Sequence, residues 1–364
     1  MADDHAEAER LREAQNTGVK AVAGSHRFDE GALADWMGAN VEGFAGPLEV
    51  RQFKGGQSNP TYQLITPARK YVMRRKPPGN LLPSAHAVDR EYTVISALYP
   101  AGFPVPRPYG LCTDETVIGT MFYVMDMVEG RIFWDQSLPD YAPAERHAIH
   151  MAALKTLADL HNTDYRAVGL ENFGRPGNYM GRQIARWTKQ YKASETQRLE
   201  TIERLIDWLP GTVPEDDQTT IVHADYRLDN MVMHPSEPRV VAVLDWELST
   251  LGHPLADFSY HCMSWHIPQG SFRGIGGLDY TALGIPTEKE YVRRYCERTG
   301  RADPDAVMAD WNFYMAYNLF RMAGILQGIA KRVEAGTASS EQARQSAAGA
   351  RPLAEMGWQI AQQS

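Results

Sequence analysis

Cysteine is scarce: 364 residues contain three, Cys112, Cys262 and Cys296, far apart and without a C-x-x-C pair. That spacing argues against a disulfide framework and a zinc site, and it fits a reducing compartment. Long apolar runs are missing as well. No segment approaches the ~20 residues that a membrane span needs. The opening Met1-Ala2-Asp3-Asp4-His5-Ala6-Glu7 is acidic and polar, unlike a secretory signal. Nor is positive charge in excess. A formal charge of −8 makes nucleic acid a poor partner. These absences together describe a cytoplasmic chain with neither membrane nor nucleic acid as partner. Its length suits two lobes, since single cores rarely grow beyond roughly 250–300 residues.

Strands come first along the chain and helices later. Residues 1–26, rich in Ala and Glu, read as a flexible leader. Phe28, Leu33, Trp36 and Met37 suggest a short helix that Asp29 can cap. Residues 48–53 alternate, a Gly-Gly turn interrupts, residues 61–65 resume, and residues 71–74 make a third strand before Pro77-Pro78-Gly79. Helical spacing covers 86–98, and 120–128 is another strand, after which Glu129-Gly130 reads as a hinge. Beyond it lie helices over 144–162 and 182–208, near Leu255, Glu288 and Asp310, and from Glu341 onward. Short strands around Ile221 and Val241 interrupt them. The fold class is α+β: a small β-rich lobe, 27–128, that binds nucleotide, and a larger α-rich lobe, 129–364, for catalysis and acceptor. The cleft between lobes is where ATP would be expected.

The richest stretch is Ile221-Val222-His223-Ala224-Asp225-Tyr226-Arg227-Leu228-Asp229-Asn230, followed by Val243-Leu244-Asp245-Trp246-Glu247. A strand delivers His-x-Asp onto a turn, Asn follows five residues after the Asp, and a second strand ends on another acid. Phosphoryl transfer to a hydroxyl needs these groups. One carboxylate orients the acceptor and takes its proton, while an amide oxygen and a second carboxylate hold magnesium. The spacing matches the kinase catalytic loop and its later metal-binding Asp. Asp225 is thus the candidate base, with Asn230 and Asp245 as metal ligands; a lone loop Asp would otherwise cap a turn. Arg227 either reaches the transferred phosphate or faces solvent. His223 reads as a buried histidine that positions the loop rather than as a metal ligand. Asp257 either anchors the same loop or complements a helix dipole. Glu247 assists the metal or acceptor, or is simply solvated.

Upstream, Lys54-Gly55-Gly56-Gln57-Ser58-Asn59 joins two strands. Gly55 and Gly56 let the backbone approach phosphates, and Ser58 can donate to them; a Gly-Gly pair also marks ordinary hairpins. G-x-x-x-x-G-K-[ST] and G-x-G-x-x-G are both absent. A cation held by a helix carboxylate is the next requirement. Arg74 is favoured, with Lys76 in reserve on the same face, and Glu91 is the carboxylate. Met125 and the backbone of Asp126 and Val128 would receive the adenine.

These pieces, with Pro254-Leu255-Ala256-Asp257, Tyr71-Val72-Met73-Arg74 and Arg90-Glu91-Tyr92, resemble the aminoglycoside phosphotransferase and choline kinase-like superfamily over residues 30–330. The resemblance implies a protein-kinase-like bilobal fold, ATP with Mg2+, and phosphorylation of a small-molecule hydroxyl, with Asp225 as base, Asn230 and Asp245 on the metal and Arg74 on the phosphates. Two departures stand out: Ala224 replaces a common glycine, read as a minor change, and position 74 is Arg rather than Lys. Arg74-Arg75-Lys76-Pro77-Pro78-Gly79, residues 174–183 with Trp187, and Gly284-Ile285-Pro286 look like the kinase domain fused to some acyl-CoA dehydrogenases. That likeness implies a hydroxyacyl-CoA acceptor; an aminoglycoside- or choline-type kinase and a catalytically silent nucleotide-binding module are the alternatives. Arg182, Arg186 and Lys189 fall at helical spacing, either to meet a coenzyme A phosphate or as a solvated face. Acceptor recognition is expected from residues 165–210 and a mobile glycine-rich flap, 265–279.

Overall fold

The computed structural model describes residues 13, 17–22, 24–55, 59–77, 86–271, 273–336 and 341–364. Gly56 and Ser58, two of the expected phosphate contacts, lie outside the described residues. In chain order the strands are β1 (Val19–Lys20), β2 (Glu49–Phe53), β3 (Thr61–Ile65), β4 (Lys70–Arg75), β5 (Pro108–Cys112), β6 (Phe122–Asp126), β7 (Thr220–Val222), β8 (Met231–Met233), β9 (Val240–Val243) and β10 (Thr250–Gly252). The helices used below are α1 (Glu30–Asn40), α2 (Val88–Leu98), α3 (Pro143–Asn162), α4 (Tyr179–Ser194), α5 (Glu200–Trp208), α6 (Pro254–Cys262) and α7 (Trp311–Glu334).

Two compact units are present, and they are not made by one cut at residue 128. One takes in the described residues up to Asp135 together with Arg166–Phe173 and Arg227–Ser249; the other holds Gln136–Tyr165, Gly174–Tyr226 and the described residues from Thr250 onward.

The first unit is built on an antiparallel sheet in the order β1-β2-β3-β4-β6-β5. Its apolar core gathers one face of the sheet (Tyr62, Leu64, Tyr71, Met73, Phe122, Val124) with Leu33 and Met37 of α1. Helix α1 starts where expected because the Asp29 carboxylate accepts from the Ala32 amide at 2.9 Å. Residues 19–20, assigned to a leader, instead form an edge strand in register with Phe53 and Gln52. Strand β5 has no counterpart in the sequence reading, since it opens on Pro108 and follows Pro104 and Pro106, which hide it. The same unit holds the hairpin β8–β9.

Gly130, read as a hinge, is pinned. Arg131 and Met233 exchange two backbone hydrogen bonds of 2.8 Å, and a Cβ on Gly130 would run into the Met233 carbonyl. Close approach, not mobility, is what demands glycine here.

The second unit is helical, with a two-stranded pair, β7 and β10, at its heart. Residues 182–208 resolve into two helices, α4 and α5. Helix α7 is apolar on nearly all sides and correspondingly buried along most of its length, which is how a central helix reads. The expected flap over 265–279 is stitched down among its described residues. Ile275 is fully buried, its amide donates to Ser264 at 2.8 Å, and Pro268 bridges Gly276. No helix among the described residues is long and apolar enough to cross a membrane.

Candidate functional site

Side-chain alternation decides what the sheet presents. In β4, Tyr71 and Met73 turn into the core, so Val72 and Arg74 take the other face; in β6, Phe122 and Val124 turn in, leaving Tyr123 and Met125. This second face walls a cavity of about 310 Å³ within the first unit. Gly55, Asp126, Met127 and Val128 also line it, as do Asn230 and Asp245 beside the hairpin. Strand β4 ends at Arg75, so Lys76 never continues the alternation; Arg74 is the basic residue of the two that lines the cavity. The Asp126 amide already donates to the Arg107 carbonyl at 2.8 Å. Of the Asp126 backbone groups expected at a base, the amide is thus already engaged within the first unit.

Arg74 is the hub. One guanidinium nitrogen lies 3.0 Å from Glu91 Oε2 and another donates to Asp245 Oδ1 at 3.1 Å. Glu91, in the first turn of α2, is fully buried, and it accepts from Asn59 Nδ2 at 2.8 Å and the Tyr123 hydroxyl at 3.0 Å. Burial pushes the Glu91 carboxyl up, with Arg74 opposing. Burial pulls Arg74 down, but the carboxylates of Glu91 and Asp245 outweigh it and keep the guanidinium charged. Desolvation cancels much of the attraction in such a pair, so its value is directional: it fixes where the cation points. Tyr123 and Asn59 were not singled out as site residues. The alternation of β6 was the available signal for Tyr123.

The hairpin explains why Asn230 and Asp245 come together. Met231 pairs with Val243, and the Leu244 amide donates to the Asn230 carbonyl at 2.8 Å, so the two residues flank the open end of β8–β9. Asp245 has φ of +65°, a left-handed conformation unusual for a residue with a side chain. Asn230 is buried, whereas the Asp245 side chain is one-third exposed. An amide oxygen and a carboxylate are hard donors that suit Mg2+, which takes few protein oxygens and shares the rest of its shell with phosphate and water. Among the described residues, no group of three or more His, Cys, Asp or Glu gathers as a metal cage. Arg227 lies 3.6 Å from Asp229 and is not among the cavity's lining residues.

Asp225 belongs to the second unit. It follows β7 through His223 and Ala224, and Ala224 has φ of +65°. The replaced glycine is thus no minor change, since Ala bears a steric penalty in this conformation. Asp257, in the first turn of α6, holds the turn: its two oxygens accept from the His223 and Ala224 amides, each at 2.7 Å. Asp257 therefore sits at a helix N-terminus and anchors the loop at once. Burial pushes the Asp257 carboxyl up, but hydrogen bonding from His161 and the nearby His223 bring it below the usual range. His223 is fully buried, and its Nδ1 accepts from the Asp225 amide at 3.2 Å, a positioning role. The Tyr260 hydroxyl donates to Asp225 Oδ1 at 2.6 Å, and Arg321 donates to the Ala224 carbonyl at 2.6 Å. Neither was singled out in the sequence. Arg321 left one trace, a lone cation in the apolar run of α7. Arg182 is spent on the carbonyls of Gly177 and Arg175, so the expected cationic row reduces to exposed Arg186 and Lys189.

Residues 49–307 match the sequence model of the phosphotransferase enzyme family. The chain belongs to that family. Among curated relatives, mouse acyl-CoA dehydrogenase family member 10 is 48% identical over 318 residues, covering 87% of this chain and 29% of that protein. Chicken acyl-CoA dehydrogenase family member 11 is 44% identical over 355 residues, covering 94% and 45%. The chain thus spans less than half the length of these relatives, and the narrower resemblance read from its sequence holds. A crystal structure from Ralstonia eutropha, provisionally described as an aminoglycoside phosphotransferase, is 57% identical with a TM-score of 0.85, covering 93% of this chain and 99% of that one. Choline kinase from Cryptosporidium parvum (12% identical, TM-score 0.63, 92% and 95% covered) shares the fold. So does a thermostable aminoglycoside phosphotransferase crystallised with ADP and hygromycin B (13%, TM-score 0.57, 91% and 98%). The fold is accordingly the protein-kinase-like bilobal α+β fold that the sequence motifs implied.

Proposed function

We propose that this phosphotransferase moves the γ-phosphate of ATP, with Mg2+, to a hydroxyl of a small molecule, and that Asp225 takes the acceptor's proton. The observation that carries the reading is Arg74, fixed by Glu91 and Asp245 on the wall of a cavity that Asn230 and Asp245 also line. In this reading Arg74 neutralises the phosphates, and Met125 with the backbone of Asp126 and Val128 receives the base. Gly55, which lines the cavity, is assigned to the phosphate tail, the role the sequence also suggests for Gly56 and Ser58. Asn230 and Asp245 hold Mg2+, which supplies charge neutralisation on the phosphate oxygens when bound. Asp225 precedes Asn230 by five residues, the separation the chemistry uses. Arg227 is assigned to the transferred phosphate. Nucleotide binding falls to the first unit, which joins residues 27–128 to 129–135, 166–173 and 227–249, and acceptor binding to the second. The bound ADP of one fold neighbour supports the nucleotide assignment. Three buried free cysteines support a reducing, cytoplasmic compartment.

For the acceptor we favour a hydroxyacyl-CoA, because the relatives at 44–48% identity are named acyl-CoA dehydrogenase family members. An aminoglycoside- or choline-type acceptor is the competing reading, and a silent nucleotide-binding module the third. ATP turnover measured with 3-hydroxybutyryl-CoA, choline and hygromycin B in turn separates them. Turnover with the thioester alone supports the favoured acceptor; turnover with hygromycin B or choline replaces it; nucleotide binding with no turnover supports the silent module.

A further inference from the structure

We propose that Tyr260, backed by Arg321, is a positioning residue that sets the direction of the Asp225 carboxylate; the proposal rests on Asp225 being the base. Helix α6 contributes two grips at a helical spacing of three, which places them on one face. Asp257 holds the amides of His223 and Ala224, and Tyr260 donates to Asp225 Oδ1 at 2.6 Å. Helix α7 supplies the third grip. Arg321 donates to the Ala224 carbonyl at 2.6 Å, and its guanidinium lies 4.9 Å from the Tyr260 ring centroid and 5.6 Å from that of Trp187. The left-handed Ala224 is therefore held at both its amide and its carbonyl, while the next residue's side chain is held by a phenol stacked on the same cation.

Arg321 is only 6% exposed, and burying a guanidinium costs desolvation that a structural turn has no need to incur. A turn whose sole task was to join β7 to β8 would be served by water-exposed groups. Instead a buried cation, a phenol and a buried acid converge on three consecutive residues, His223 to Asp225, as required where a reacting oxygen must be held to within a fraction of an ångström. Tyr260 and Arg321 act through Asp225 and are not themselves assigned to the reacting atoms.

The test is steady-state ATP·Mg turnover of the full chain, with 3-hydroxybutyryl-CoA, choline, hygromycin B or water alone as acceptor, together with thermal melts. Tyr260→Phe is expected to lower kcat about 10–100-fold with the KM for ATP within about twofold of wild type. Arg321→Met should show a comparable loss, and Arg321→Lys, which retains a donor for the Ala224 carbonyl, should recover most of it. A Tyr260→Phe enzyme with wild-type kcat, or a kcat loss matched by lost folding, overturns the proposal. In melts of Tyr260→Phe, Asp225→Ala and the double variant, non-additive shifts are expected, since Ala removes the acceptor oxygen; additive shifts overturn the contact. A wild-type chain that passes phosphate to none of these acceptors, water included, overturns the phosphotransferase reading itself, and the melts still decide whether Tyr260 holds Asp225.

Discussion

Replacing Asp257 by Asn should destabilise the protein well beyond what loss of one surface charge would do. Asp257 is 2% exposed, and each of its oxygens accepts one backbone amide, from His223 and from Ala224, at 2.7 Å. An Asn side chain has one oxygen. Whichever way its amide is turned, one of the two backbone donors then faces an NH2 group in a buried site. A hydrogen bond to a charged acceptor contributes ~1.5–3 kcal/mol, and stranding a buried donor adds its desolvation. The expected loss is about 2–4 kcal/mol, read as a fall in the urea midpoint with the slope unchanged. Turnover should fall with it, because the peptide groups being released lead directly to Asp225. An Asn variant within about 0.5 kcal/mol of wild type would refute the claim that this carboxylate holds the turn.

Two further outcomes follow from the same geometry. Burial lowers His150 to about 3 and His261 to about 4, so both stay neutral in the native state while the unfolded chain protonates near the ordinary value of 6.5. The unfolded state then binds more protons between roughly pH 6.5 and 4, and stability must fall as pH drops through that window, by up to ~1.4 kcal/mol per pH unit for each histidine; a melting temperature equal at pH 7 and pH 5 contradicts this. At position 224, Gly should be tolerated, since relief of the left-handed conformation offsets added chain entropy, whereas Val should lower stability by about 2 kcal/mol or more; thermal melts that rank Val with Ala contradict the strain.

Much of the cavity's geometry was legible in the sequence because a strand's period of two is unambiguous once its core face is known. Tyr71 and Met73 inward puts Arg74 outward, and the same rule reaches Tyr123 from Phe122 and Val124. Strands β7, β8 and β10 span three residues each and are buried but for Thr250 at the start of β10, so they carry no alternation to read. Only β7, beside His-x-Asp, was anticipated. Residues 227–249 join the strand-bearing unit through pairings such as Arg131 with Met233, a contact spanning about a hundred residues that no local pattern announces. Tyr260 and Arg321 were hidden for the same reason: they meet the Asp225 turn from 35 and 97 residues away. Glycines misled in both directions. Gly130 is held by packing, and the glycines after residue 269 sit in a turn secured by buried Ile275.

The most direct measurement is phosphoryl transfer from γ-labelled ATP by wild type and by Asp225→Asn, with MgATP affinity determined by calorimetry on both proteins. A base that acts only on the acceptor predicts matching nucleotide affinity and a loss of transfer of about a thousandfold or more in the variant. Transfer by Asp225→Asn at the wild-type rate, or an affinity for MgATP that vanishes with the substitution, contradicts the account.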